Sequence, residues 1–292
     1  MKRSFIYFSV LCSFCILICA CSNRNKKIES STEQSTTTNS VVSDIPTDYC
    51  QELVDLAQQG DAKAQCMLGF CYEAGQGVAK DMSEAVKWYM KAAEQGNSIA
   101  QNNLAVCYAD GRGVAQDFEE ALRYYRLAAE QGELEAQRNL ARCYAQGQGT
   151  PQNLPEAVKW YKVVAEQGHA DGQDNLGNCY LNGYGVPQDY KEAMKWFRKS
   201  AEQGHADAQC NVGFMYQMGF GVDKDIDEAV KWYTLAAEQG HPAAQYEMGI
   251  CYAKGWSFSQ DIEKAAYWLE KAANQGYQRA KDDLKLLKEQ YN

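Results

Sequence analysis

A Gln-Gly pair returns every 36 residues, ending at Gly60, Gly96, Gly132, Gly168, Gly204, Gly240 and Gly276, and this recurrence narrows the fold more than anything else in the chain. Equal spacing implies copies of one supersecondary unit, each too small to bury its apolar face alone and so bound to stack on its neighbour. With offsets counted from these glycines, six complete units run 61–96, 97–132, 133–168, 169–204, 205–240 and 241–276.

Each unit reads as a helical hairpin. Ala64, Leu68 and Tyr72 lie four apart with Gly69 alongside, which draws one helix face with small residues where another backbone comes close. Gly75-x-Gly77-Val78 then breaks the helix, because glycine tolerates the left-handed conformation that ends one. Asp81-x-x-Glu84 follows and recurs as Asp117/Glu120, Asn153/Glu156, Asp189/Glu192 and Asp225/Glu228, a start resembling a capping box. The second helix carries Ala85, Trp88, Tyr89 and Ala92-Ala93 on one face and ends at Gly96. Residues 47–60 read as an N-terminal capping half-repeat, and 277–292 as a C-terminal capping helix carrying Leu284 and Leu287. Terminal units of this kind cover the open ends of a stack.

The pattern Ala-x-x-x-Leu-Gly-x-x-Tyr-x-x-Gly-x-Gly-Val-x-x-Asp-x-x-x-Ala-x-x-Trp-Tyr-x-x-Ala-Ala-x-x-Gly resembles the Sel1-like repeat, a relative of the tetratricopeptide repeat, over about three-quarters of the chain. The resemblance implies an all-α, right-handed α-solenoid that binds other proteins. Departures are few: Gly172 replaces the first Ala, Tyr124 replaces Trp, and Thr150 replaces Val. The sixth loop reads Gly255-Trp256-Ser257-Phe258 and its cap is followed by Lys264 in place of Glu, so a different turn is expected there.

The chain opens on Lys2 and Arg3, an apolar run from Phe5 to Ile18, and then Ile18-Cys19-Ala20-Cys21. A basic start, a short apolar run and a small residue before the cut define a secretory signal, here 1–20, too short to be a spanning helix. Ile-x-Ala-Cys resembles the bacterial lipobox, which implies lipidation at Cys21. Residues 21–46 are rich in Ser and Thr without apolar periodicity, the composition of a flexible tether. Anchoring in a bacterial envelope follows, and Ser22 does not resemble the aspartate that retains enterobacterial lipoproteins at the inner membrane, which favours the outer one.

With 29 Lys and Arg against 38 Asp and Glu, the chain carries a formal charge of −9 and lacks the basic footprint of a nucleic-acid binder. His169, His205 and His241 all stand at offset 1, where other units carry Asp61, Asn97 and Glu133. Neighbouring helices pack about 8–10 Å apart, too far for three such residues to share a zinc ion, so they read as helix-start residues. At offset 11 stand Cys71, Cys107, Cys143, Cys179 and Cys251, with Met215 in the fifth unit, and Cys66 and Cys210 are isolated at offset 6. Successive copies are too distant to bridge, so buried free thiols are expected, with Cys50–Cys71 left open. The resemblance offers the alternative of a disulfide ladder, as in the cysteine-rich Sel1-like proteins of Helicobacter. Ser-x-x-Lys, Lys-Thr-Gly and Gly-x-Ser-x-Gly are all missing, and Asp223-x-Asp225-x-Asp227 lacks the Gly and Glu of a calcium loop. The Gly-x-Gly loops lack the strand and third glycine of a dinucleotide site. No catalytic residue, metal or cofactor is therefore expected.

Three groups of residues are candidates for binding. Asn103, Asn139, Asn175 and Asn211 form a row at offset 7, suited either to a peptide backbone or to internal packing. Arg112, Arg138 and Arg142 could receive a carboxylate or phosphate, or could be a solvated face. Tyr184, Phe220 and Trp256 recur at offset 16, with Phe258 nearby, as partner anchors or as lateral packing between loops. The expectation is a non-enzymatic, lipid-anchored scaffold for an unidentified protein or peptide. Its rivals are a β-lactamase or penicillin-binding hydrolase, the label of some cysteine-rich relatives, and a purely structural spacer.

Overall fold

The computed structural model describes residues 47–291, which form fourteen helices and, among the described residues, no strand. The signal segment, Cys21 and the tether lie outside the described residues, as does the side chain of Cys50. Leu53–Asn292 is one compact unit, and Met1–Glu52 is the other, of which only the beginning of the first helix is described. That helix, α1, spans Thr47–Gln58. Six hairpins follow: α2 (Ala62–Ala74) with α3 (Met82–Glu94), α4 (Ser98–Asp110) with α5 (Phe118–Glu130), and α6 (Leu134–Gln146) with α7 (Leu154–Glu166). The series continues as α8 (Ala170–Asn182) with α9 (Tyr190–Glu202), α10 (Ala206–Met218) with α11 (Ile226–Glu238), and α12 (Pro242–Lys254) with α13 (Ile262–Asn274). Helix α14 (Gln278–Tyr291) closes the chain and sets Leu284 and Leu287 against the last core cluster. From α2 onward each helix packs chiefly on the one before and the one after it, the arrangement of an all-α solenoid.

The hairpin turn is built from backbone bonds. Gly75 takes a left-handed φ of 74°, and the Gly75 and Gln76 amides both donate to the Cys71 carbonyl, at 2.8 and 2.9 Å. Asp81 Oδ1 then accepts from the Ser83 and Glu84 amides at 2.9 and 3.1 Å, which starts α3. The reciprocal half of a capping box is missing. The Asp81 amide is already spent on the Tyr72 carbonyl at 2.9 Å, so Glu84 turns outward to Lys87 at 2.6 Å. The sixth loop departs in sequence but not in turn. Ser257 holds a φ of 59°, and the Trp256 and Asp261 amides bond to Cys251 and Tyr252 at 2.9 and 3.0 Å, as their equivalents do elsewhere. The different turn expected from Ser257 does not occur.

Close helix approach explains the small residues. A Cβ on Gly69 would sit 2.7 Å from the Tyr89 ring, which is fully buried. Gly172 answers a specific neighbour, since a Cβ there would come within 2.5 Å of Val164 Cγ1, and Val164 stands where other units carry Ala or Ser.

A glutamine relay joins the hairpins. Gln65, Gln101, Gln137, Gln173, Gln209 and Gln245 are all buried, and each donates to a carbonyl in the last turn of the preceding helix, Gln137 to Ala129 at 3.2 Å. Each accepts in turn from the glutamine 30 residues on, Gln167 reaching Gln137 at 2.7 Å. Buried amides are tolerated because their polar atoms are paired.

Candidate partner-binding surface

Two members of the asparagine row spend their donors inside the stack. Asn139 Nδ2 donates to Asn102 Oδ1 at 3.3 Å, and Asn211 Nδ2 donates to Asp174 Oδ1 at 2.9 Å, each linking the first helices of successive hairpins. Asn103 and Asn175 are half-buried, and Asn103 accepts from Asn102 at 3.5 Å. The final member of the ladder is Tyr246, whose hydroxyl donates to Asp283 of α14 at 2.9 Å.

The three arginines do not act as one patch. Arg112 reaches Glu73 at 3.0 Å and Asp110 at 3.3 Å, and Arg138 reaches Glu135 at 2.6 Å and Asp171 at 3.6 Å. Both are committed to carboxylates of the chain itself. Arg142 is exposed and, among the described residues, forms no ion pair.

The loop aromatics are shared between core and solvent. Tyr184, Phe220 and Trp256 are half-buried against the core clusters beside their own loops. Phe220 stacks on Tyr190 at 4.5 Å and meets Phe214 edge-on at 5.9 Å, and Phe258 stacks on Tyr252 at 4.6 Å while remaining 37% exposed. Lys254 lies 4.5 Å above the Trp256 ring. The loop glycine beside these rings is what seats each loop, since a Cβ on Gly221 would fall 2.3 Å from the Tyr190 carbonyl oxygen.

The histidines do more than start helices. His205 and His241 accept through Nδ1 from the Ala208 and Ala244 amides, at 3.3 and 3.1 Å. Their Nε2 atoms meet Asp171 and Asp207 of the preceding hairpin at 2.9 and 3.0 Å. His169 lies 4.0 Å from Glu135, and its Nδ1 has no hydrogen-bond partner among the described residues. The Asp171 carboxylate holds the His205 imidazole above its usual pKa, and His205 holds Asp171 below the usual carboxylate range. Burial pushes Asp174 up to about 6 and Glu247 up to about 7. Cys66, Cys107, Cys143, Cys179, Cys210 and Cys251 are free thiols, and burial raises Cys66, Cys107 and Cys143 to about 11 and Cys179 and Cys251 to about 12. Thiols so protonated are packing groups, not nucleophiles.

A family model for the Sel1 repeat matches residues 62–97, 98–133, 134–169, 170–205, 206–241 and 242–277. The chain belongs to the Sel1 repeat family. Among solved structures, this Sel1 protein is similar to a protective antigen of uropathogenic Escherichia coli that displays an SLR fold, with 35% identity and a TM-score of 0.77. The match covers 85% of this chain but only 54% of the antigen, so the chain spans about half of that relative. A Sel1 repeat protein from Oxalobacter formigenes is 33% identical with a TM-score of 0.72, over 77% of this chain and 90% of that one. A comparison with curated proteins finds no match. Sel1 repeats mediate protein–protein interaction, and their scaffold is generally non-enzymatic.

Two features of this Sel1 solenoid escaped the sequence reading although a signal for each was present. The glutamine relay recurs at offsets 5 and 35 in all six units. The histidine ladder shows as acid at offset 3, Glu135, Asp171 and Asp207, in the three units that precede a histidine.

Proposed function

We propose that this Sel1 protein is a lipid-anchored scaffold of a bacterial envelope that holds a partner protein along the loop edge bearing Tyr184, Phe220, Trp256 and Phe258. The observation that carries the reading is the run of six Sel1 repeats, a module that binds proteins. A solenoid gains specificity where its units differ, because repeated positions are committed to the stack. The loop aromatics differ from unit to unit and keep part of their surface in water, as binding anchors do. Lys2, Arg3, the apolar run and Ile18-Cys19-Ala20-Cys21 support export and lipidation at Cys21, and Ser22 supports the outer membrane.

The test is affinity capture from envelope extract with the full-length lipoprotein and with Tyr184→Ala/Phe220→Ala/Trp256→Ala, read by quantitative mass spectrometry. A partner enriched by the wild type and lost by a triple variant of unchanged circular dichroism supports the loop edge. Equal capture by both, with an earlier melt of the variant, makes those rings packing residues.

A further inference from the structure

Leu56, Met67 and Phe70 gather at the start of the stack and are 43%, 50% and 45% exposed. The repeat shows what would cover them. Leu56 stands at offset 32, a position that is 0% exposed in all six complete hairpins, from Ala92 to Ala272. There the hairpin's own first helix lies over it, and Ser200 Oγ donates to the Ala170 carbonyl of that helix at 2.8 Å. Met67 stands at offset 7, which the first helix of the preceding hairpin covers. Asn139 and Asn211 reach back to that helix from the same offset, at 3.3 and 2.9 Å. Leu56 and Met67 therefore lack the same neighbour, because among the described residues α1 has no first helix before it. Phe70 carries the apolar face one turn further along α2.

Neither the preceding sequence nor a second copy fits that place. At offsets 4, 8 and 9 the six first helices carry Ala or Gly, then Leu, Val or Met, then Gly or Ala, whereas the frame before α1 falls on Ile28, Thr32 and Glu33. Among the described residues α14 alone is a first helix with no second helix after it. It carries Lys281, Lys285 and Lys288 at offsets 5, 9 and 12, held inside the stack by Gln, by Gly or Ala, and by Tyr. Offset 9 is where a hairpin closes most tightly, since a Cβ on Gly69, Gly177, Gly213 or Gly249 would lie 2.7 Å from a side chain of the second helix. Lys285 cannot enter such a contact, so α14 ends the stack. The first end is built the opposite way. Met67 is apolar at an offset where the complete hairpins after it carry Asn or Glu, and none of those is exposed.

We propose that the face formed by Leu56, Met67 and Phe70 receives an amphipathic helix of a partner polypeptide, which takes the place of the absent first helix. It would continue the interface that joins every hairpin to the next, and that interface fixes its chemistry. The other first helices of the hairpins are 13 residues long, which sets its length. In the repeat frame it carries small residues at offsets 4 and 9 and a large aliphatic residue at offset 8. At offset 6, where Asn102 and Asp174 face asparagine, it carries an apolar residue to meet Met67. Burial of the three exposed side chains supplies the affinity. This surface is separate from the loop edge, and either can fail without the other.

The test uses the full chain in lipid nanodiscs with 13C-methyl methionine, the Met67 resonance being assigned by its loss in Met67→Leu. The probe is a synthetic peptide of residues 97–111 carrying Asn102→Leu and Cys107→Ser. A lactam between Ile99→Glu and Asn103→Lys holds it helical, since a free helix of this length is poorly formed in water. Its control adds Ala105→Lys, in imitation of Lys285. The probe should shift the Met67 methyl saturably, and the control should bind about ten-fold more weakly. Leu56→Asn and Phe70→Asn should each weaken the probe about ten-fold with circular dichroism unchanged, since both side chains are exposed in the free protein. No shift, equal shifts with probe and control, or full binding by both variants would overturn the site. A Met67 shift that grows with protein concentration alone would give the face to a second copy. A response gained only on deleting residues 25–44 would give it to the chain's own preceding segment. Either result would overturn the partner helix and leave the loop-edge reading untouched.

Discussion

Replacing Gln137 by Met tests whether the glutamine relay is a working joint between hairpins. Methionine keeps the length and most of the volume of the side chain, so the change isolates polarity from packing. Two hydrogen bonds disappear, the one donated to Ala129 at 3.2 Å and the one accepted from Gln167 at 2.7 Å. The Ala129 carbonyl keeps its bond from the Gly132 amide at 3.0 Å, and exposed Gln167 can turn to water, so neither partner is stranded. At about 0.5–1.5 kcal/mol net per bond, the variant should lose about 1–3 kcal/mol. Gln167→Ala removes the outer bond together with a 3.3 Å bond from Nε2 to the Val163 carbonyl of its own helix, and should lose about 0.5–1.5 kcal/mol. In the double variant that second loss should shrink to the share of the exposed Val163 bond, because the Gln137 acceptor has already gone. Urea unfolding followed by helical circular dichroism reads all three, and with a slope of about 2 kcal/mol/M the Gln137→Met midpoint should fall by about 0.5–1.5 M. Additive losses in the double variant, or a Gln137→Met midpoint equal to wild type, would refute the joint.

Four further outcomes are expected. Gly221→Ala should destabilise by about 2–5 kcal/mol, since strain at a φ of 72° adds to a Cβ 2.3 Å from a carbonyl, whereas Gly240→Ala meets nothing within 4 Å and should lose only the strain of about 1–2 kcal/mol. Thermal melts separate the two, and equal losses would contradict the seating of the loop. Stability should fall from pH 5 to pH 8, because Asp174, Glu247 and His205 all hold protons more tightly folded than unfolded and release them over this range. Asp174, raised from 3.8 to about 6, accounts for about 1.4 kcal/mol of the fall within this range, the rest of its effect lying below pH 5, so Asp174→Asn should flatten the denaturation profile. The buried thiols of Cys66, Cys107, Cys143, Cys179 and Cys251 should react slowly with a thiol reagent in the native protein and promptly after unfolding, and rapid native labelling would contradict their burial. Cys21→Ala should leave an uncleaved precursor or a soluble form, and an acylated variant that still partitions into detergent would end the lipobox reading.

Repetition made the fold legible and hid part of its chemistry. Glycines at the loops, Asp or Asn at the second helix start and the Ala-Leu-Tyr face were readable because each obeys a local rule that recurs six times. Glu84 misled because its local partner, the Asp81 amide, is taken by a carbonyl nine residues back, and only the folded turn reveals that competition. Ser257 misled because a side chain tolerated at φ 59° leaves the turn unchanged while its hydroxyl bonds Asp227 of the neighbouring hairpin. The arginines looked like a patch in one dimension, but Glu73, Glu135 and Asp171 come from other turns and other hairpins. The Tyr125 hydroxyl could not be singled out at all, since its lack of a hydrogen-bond partner among the described residues shows only once the hairpins are packed.

The claim that this Sel1 solenoid is a scaffold with its partner on the loop edge is tested most directly in the cell. A photo-crosslinking amino acid in place of Phe258, 37% exposed at that edge, is compared with the same residue in place of Glu238, exposed at the opposite end of a hairpin. Illumination of intact cells should give a discrete protein adduct from position 258 and none from position 238. No adduct from either position, or the same adducts from both, would contradict the account.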